Sequence, residues 1–216
     1  MQYSFIETKS INPKPTKLAV LLHGVGSDAK DLAMIIPHMQ QTLPSVHFIA
    51  LNGIQPYDMA NFGYQWFSFK DRSPESMQTQ ADQSLPLVMK FLQMQLDLLG
   101  LDFSDLFLIG FSQGTMLATH IGMYGGKKMA GIVGFAGSII PPRKQASDQL
   151  SDQQKTPICF IHGAQDNVLS IDIMRQSADL LSKIGFTVYS HEIQNLTHSI
   201  DMRSIQIANN FILELL

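Results

Sequence analysis

Leu106-Phe107-Leu108-Ile109-Gly110-Phe111-Ser112-Gln113-Gly114 is the stretch on which the fold turns. Its unbroken apolar start fits a strand covered on both faces, and residues 113–124 carry apolar side chains at helical spacing. Between the two, Gly110-Phe111-Ser112-Gln113-Gly114 matches G-x-S-x-G. That turn is sharp enough to force its serine into a strained backbone conformation, and the flanking glycines leave room for a close approach. A strand running through such a turn into a helix begins a crossover unit on a parallel sheet. Ser112 would stand at the carboxyl edge of that sheet, with the amide of Gln113 pointing at a developing oxyanion from the helix N-terminus. A serine capping an ordinary helix is the plainer reading of the same five residues.

Outward from this point the alternation repeats. Residues 18–22, 46–50 and 158–161 are near-continuous apolar runs like 106–109, and 131–135 and 187–189 are weaker members of the set. Between them, 29–41, 76–99, 113–124, 170–184 and 200–215 show helical periodicity, as in Leu85, Val88, Met89, Leu92, Leu96 and Leu99. The expected fold is α/β, a single domain over 1–216 with a mostly parallel central sheet flanked by helices. Asn52 to Glu75, rich in aromatic residues, and the polar Pro141 to Pro157 break the pattern and read as loops, the first with a lining role.

The chain is 216 residues long, 45% hydrophobic and 15% charged, enough to build one sizeable core. A net charge of −3 without blocks of like charge gives no footprint for nucleic acid or anionic lipid. The single cysteine, Cys159, can form no internal disulfide, which fits a reducing compartment. The N-terminus lacks a basic start and an apolar stretch, and no run approaches the ~20 apolar residues of a membrane span. A cytoplasmic protein without integral membrane association is expected.

A serine becomes a useful nucleophile when a base takes its proton, and in this strand-turn-helix setting the order to look for is Ser, Asp, His. Asp166 follows the strand 158–161 in His162-Gly163-Ala164-Gln165-Asp166, and His198 follows the last strand in Asn195-Leu196-Thr197-His198-Ser199. Both lie beyond strand carboxyl ends, where an open parallel sheet builds its sites. The competitors are worse placed: His47 and His191 fall in strands, His38 and His120 in helices, and Asp172 inside the helix after Asp166. A second oxyanion donor is expected from Leu22-His23-Gly24-Val25-Gly26-Ser27-Asp28, with the amide of Val25 as the candidate. Residues 24–29 also satisfy the dinucleotide fingerprint G-x-G-x-x-A. The acid that should follow about 20 residues later is missing, since Pro44 to Pro56 holds none.

These segments together resemble the phospholipase/carboxylesterase branch of the α/β hydrolases, which includes acyl-protein thioesterases and bacterial carboxylesterases. Residues 22–28 with Asp31-Leu32 look like its oxyanion loop, and Gly63-Tyr64-Gln65-Trp66-Phe67-Ser68 like its Q-W-F segment. Residues 110–114 resemble its nucleophile turn, 162–168 its acid loop and 196–200 its histidine loop. The five segments occur in the family's order. Two positions depart from it: Thr115 stands where a second glycine is usual, and Thr197 where a small residue precedes the histidine.

The resemblance implies a compact α/β-hydrolase fold without a large lid domain, a Ser112-Asp166-His198 triad, and oxyanion donors at the amides of Val25 and Gln113. It also implies hydrolysis of acyl esters or thioesters through a covalent acyl-enzyme. Trp66, Phe67 and Phe69 offer apolar surface for an acyl chain, although packing of the loop onto the core would use the same residues. No cofactor is expected, and no H-E-x-x-H or comparable metal spacing occurs. The sequence does not fix an oligomeric state; a homodimer is compatible with it. Lysophospholipids or lipidated proteins are the other substrates inside the class, and a non-catalytic binding scaffold is the alternative outside it.

Overall fold

The computed structural model describes residues 3–142 and 155–216. Among the described residues, nine strands and six α-helices follow one another as β1 (Phe5–Thr8), β2 (Lys17–Leu22), α1 (Ala29–Ala33), α2 (Ile36–Gln40), β3 (Val46–Leu51), β4 (Gln55–Pro56), β5 (Tyr64–Gln65), α3 (Pro74–Leu99), β6 (Leu106–Phe111), α4 (Gln113–Tyr124), β7 (Gly131–Phe135), β8 (Ile158–Gly163), α5 (Ile171–Lys183), β9 (Val188–Ile193) and α6 (Met202–Leu213). Seven strands form one sheet in the order β1-β3-β2-β6-β7-β8-β9, and β4 and β5 form a small separate hairpin. Every pairing in the large sheet is parallel except that of β1, which runs antiparallel along β3. The mostly parallel sheet flanked by helices is the expected one.

The period of two along the strands sorts the core into halves. Leu18, Val20 and Leu22 of β2 join Leu106 and Leu108 of β6 under α3, α4 and α5, represented by Phe91, Leu117 and Met174. Ala19 and Leu21 face the other way with Phe107 and Ile109, against Leu32, Ile36, Ala208 and Phe211 of α1, α2 and α6. Strands buried on both faces have no polar face to alternate with, which is why they read as continuous apolar runs.

Three local expectations change. The helix expected over 29–41 is two short helices, because Pro37 has no N–H to continue an intrahelical ladder and sits instead in the first turn of α2. The expected loop 52–75 contains the β4–β5 hairpin and the start of α3, and β1 has no counterpart in the sequence reading. Most of the expected loop 141–157 lies outside the described residues.

α4 is buried on nearly every side, and its His120 is fully enclosed, with Nε2 at 3.0 Å from Asp82 Oδ1 of α3 and the ring against Tyr124. The Nδ1 atom is buried without a hydrogen-bond partner. Burial pushes this imidazole down from 6.5 to about 4, so it stays neutral in the folded protein near neutral pH. An unfolded chain binds the proton where the folded chain does not. The resulting stabilisation is complete above pH ~6.5 and is lost as the pH falls toward the folded value, by on the order of 2–3 kcal/mol. Urea unfolding of wild type and His120→Leu at pH 7 and pH 4.5 checks this: wild type should lose the more stability of the two, and parallel losses would remove His120 from the account.

Candidate active site

Ser112 joins β6 to α4 with φ 52° and ψ −112°, a left-handed backbone that a residue with a Cβ rarely adopts. Such a residue costs on the order of 1–3 kcal/mol and persists where its surroundings dictate it. Here they do. The Ser112 amide donates to the Phe135 carbonyl at the end of β7 (2.9 Å), while Thr115 N–H donates to the Ser112 carbonyl (3.0 Å). A Cβ on Gly114 would stand 1.8 Å from the Leu22 carbonyl oxygen, and one on Gly110 would stand 2.4 Å from the Thr115 amide nitrogen. Only glycines allow β6, α4 and the end of β2 to meet this closely.

Thr115, the departure from the family pattern, donates its hydroxyl toward the carbonyls of Gly110 (2.9 Å) and Phe135 (3.0 Å). Its side chain fills space that glycines leave open: a Cβ on Gly137 would lie 2.3 Å from the Thr115 Cβ, and one on Gly134 would lie 2.5 Å from its Cγ2. The hydroxyl thereby ties the serine turn to the end of β7.

The acid and the histidine come together from β8 and β9. Asp166, with its side chain fully buried, receives His198 Nδ1 at 2.7 Å on Oδ2 and the amides of Val168 and Leu169 at 2.9 Å on Oδ1. Burial alone would raise this carboxyl. The Leu169 amide, the His198 hydrogen bond, the Val168 amide and the charge of His198 outweigh it and hold the group below the usual carboxylate range. Gly163 permits the approach, since a Cβ there would lie 2.2 Å from the Leu196 carbonyl oxygen on the histidine loop. The exposed Thr197 beside it points its departure from the family pattern toward solvent. The His198 ring packs against Phe111, the residue before Ser112, with ring centroids 5.1 Å apart.

His162 is a member of this site that the sequence reading quoted only as part of the acid loop. Its Nε2 lies 2.8 Å from the Leu169 carbonyl and 3.1 Å from Asp166 Oδ2. A carbonyl can only accept, so Nε2 carries the hydrogen and gives it to Leu169, which ties the acid loop back to the end of β8 next to Asp166. The signal in sequence was the spacing of four between His162 and Asp166; a buried position gave no cue of its own.

Val25 and Ser112 line one cavity of about 360 Å³. The first N–H groups of a helix have no intrahelical acceptor, which leaves the Gln113 amide at the start of α4 directed outward beside the serine. The loop before Val25 is fixed by His23, whose Nδ1 donates to the Gly24 carbonyl (2.7 Å) while Nε2 accepts from the Gly53 amide (2.9 Å). Burial holds this imidazole below its ordinary value, against smaller opposing effects from Gly24, Asp28 and Asp31.

Of the three aromatic residues expected to line a substrate pocket, Phe69 lines the cavity shared by Val25 and Ser112. Trp66 and Phe67 are fully buried and work as a strut. The Trp66 indole N–H donates to the His23 carbonyl (2.8 Å), and its amide donates to Gln113 Oε1 (3.0 Å). Gln113 Nε2 donates to the Phe67 carbonyl (2.7 Å). Gln113, expected to act through its amide alone, also clamps this segment through its side chain. Among the described residues no group of three or more His, Cys, Asp or Glu side chains is placed to hold a metal ion, and no helix is long and apolar enough to cross a membrane.

A family model described as phospholipase/carboxylesterase matches residues 1–216. The esterase YpfH of Escherichia coli (strain K12) is 24% identical over 208 residues, covering 96% of this chain and 87% of its own. Acyl-protein thioesterase 1 of Yarrowia lipolytica is 26% identical over 209 residues, covering 92% of each chain. Among solved structures, esterase PE8 superposes with a TM-score of 0.91 at 27% identity, covering 100% of both chains. The Bacillus cereus carboxylesterase, at 17% identity and a TM-score of 0.81 over 99% of this chain and 95% of its own, shares the fold. With one sheet of this topology and a match along its whole length, the chain belongs to the phospholipase/carboxylesterase family of α/β hydrolases, enzymes acting on carboxylic ester and thioester bonds.

Proposed function

We propose that the protein is a serine carboxylesterase that transfers an acyl group to water through a covalent intermediate on Ser112. The strained backbone of Ser112, next in the chain to Phe111, whose ring packs against an imidazole oriented by a buried carboxylate, is the observation that carries the proposal. His198 takes the Ser112 proton as Oγ attacks the substrate carbonyl carbon, and the Val25 and Gln113 amides receive the oxyanion. Collapse of the tetrahedral intermediate breaks the bond to the alcohol or thiol, which leaves with the proton from His198. The same imidazole then activates water for deacylation. Asp166 accepts from Nδ1 throughout, so that Nε2 is the basic nitrogen facing the reaction. The chemistry is the same for an oxygen ester and a thioester.

The acyl group would enter the cavity beside Ser112. Phe69, Met77, Met116, Ile139, Leu169 and Ile173 give that cavity an apolar wall, and its volume of about 360 Å³ lies in the range of small-molecule sites.

Ser112→Ala should lower kcat on an activated short-chain ester by up to about 10⁶, and Asp166→Asn by about 10⁴ through loss of the correct imidazole tautomer. Asp172→Asn, whose carboxylate pairs with Arg175 in the first turn of α5, should remain near wild type. Full activity in Ser112→Ala would end the proposal, and a deep loss in Asp172→Asn would move the acid. His162→Phe removes the hydrogen bond that holds the Leu169 carbonyl beside Asp166 and should cost about tenfold in kcat/KM, on the scale of one lost buried hydrogen bond. The urea unfolding midpoint of this variant is the control for lost stability. In a series of acyl chain lengths, Met77→Trp should shift the preferred chain toward shorter ones.

A further inference from the structure

A second cavity, about 370 Å³ in volume, opens on the other side of the candidate base. His198 and Phe111 line it together with Asp31, Met34, Ile35 and Ile200, whereas Ser112 and Val25 line the first cavity and not this one. That division has a direction when read with the mechanism proposed above. The acyl carbon is bonded to Ser112 with its oxygen at the Val25 amide, so the acyl chain continues on the Ser112 side. The departing oxygen or sulfur must receive its proton from His198, so the leaving group lies on the histidine side.

The walls of the second cavity mix apolar side chains with the hydroxyl of Ser199 and one carboxylate. Leu32, Met34, Ile35 and Ile200 supply the apolar surface, with Met34 72% exposed, and the carboxylate of Asp31 is the one charged group among the described lining residues besides the base itself. Asp31 is held in place by Ser27, whose hydroxyl donates to Oδ2 at 2.6 Å, and Asp28, the cap of α1, accepts from the Asp31 amide one turn earlier. Cations nearby in the chain do not neutralise it. Lys30 does not line the cavity, and Arg203 is committed to Asp201 and to the Gln194 carbonyl.

We propose that this cavity is the leaving-group subsite, and that Asp31 selects alcohols and thiols that are neutral or cationic against those carrying phosphate or carboxylate. The proposal rests on the serine-hydrolase reading and adds to it the polarity of substrate binding and the class of leaving group. An acyl thioester of a phosphate-bearing thiol is thereby a poor substrate, and one of a neutral or cationic thiol a good one.

The test uses butanoyl thioesters of thiocholine, of 2-mercaptoethanol and of 3-mercaptopropionate, cationic, neutral and anionic in turn, and reads the ratio of kcat/KM for cation over anion. Taking the ratio against wild type cancels the intrinsic reactivity of each thioester. Asp31→Asn should lower the ratio by about tenfold at low ionic strength and by less at high salt, as a solvent-exposed charge acting over a few ångströms requires. Met34→Lys should lower it in the same direction, and it carries the test alone where Asp31→Asn proves unfolded. Met77→Trp, in the first cavity, should alter acyl-length preference without moving the ratio. An unchanged ratio in a folded Asp31→Asn or Met34→Lys protein, or a ratio that follows Met77, overturns the proposal. Labelling of Ser112 by a fluorophosphonate separates the two levels: with labelling intact an unchanged ratio removes the subsite alone, and with no labelling of folded wild type the reading beneath it fails as well.

Discussion

The start of α4 can lie against the end of β2 only because residue 114 has no side chain. With the Leu22 carbonyl where a Cβ would have to be, nothing larger than glycine fits, and the contact fixes where the helix begins. The chain then has to turn from β6 into α4 within one residue, and the strain of that turn falls on Ser112. The same contact brings the segment after Leu22 alongside the start of α4, so the loop carrying Val25 and the turn carrying Ser112 are neighbours by construction. The energy stored at Ser112 is offset by the buried sheet on either side, through hydrogen bonds to Phe135 and Thr115 that a relaxed backbone would forfeit.

Around this contact the site is braced by groups that do no chemistry. Trp66 joins the His23 carbonyl to the Gln113 side chain, and Gln113 returns the bond to Phe67, so the loop after β2, the turn at Ser112 and the aromatic segment form one hydrogen-bonded unit. His23 is locked as its Nδ1–H tautomer by a carbonyl on one side and an amide on the other. Asp166 is equally constrained, with two amides on one oxygen and the His198 imidazole on the other. In the acyl transfer proposed for this site, donors fixed in this way would need little reorganisation as charge develops.

Much of this was legible in the sequence because the signals were local. Four strands, β2, β3, β6 and β8, announced themselves as apolar runs and β7 and β9 more weakly, and Ser112, Asp166 and His198 each followed a strand on a short polar or glycine-containing turn. What escaped depended on contacts between distant segments. β1 is four residues long and mostly exposed, and β4 and β5 have two residues each, too few to show any period. Trp66 and Phe67 look the same in sequence whether an aromatic ring faces a ligand or a buried carbonyl; only the positions of His23 and Gln113 decide it. His162 lay in plain view four residues before Asp166, yet its part depends on the Leu169 carbonyl that fixes its tautomer. The break between α1 and α2 was written in Pro37, where apolar spacing alone suggested one continuous helix.

Thr115 bears on how this chain could change over time. Its methyl and hydroxyl occupy the space beside residues 134 and 137, so those two positions are held at glycine by a residue some twenty positions earlier. A lineage carrying glycine at position 115 would lose the nearest obstruction at both, with the Phe160 ring still 3.1 Å from a Cβ at 134; this one keeps it until Thr115 itself is replaced. Replacing Thr115 first would open a void under the serine turn and release two carbonyls. The accessible order of substitutions is therefore narrow in either direction, and an ancestral exchange at this position would have closed off neighbouring sequence space on β7 without touching any group that meets the substrate.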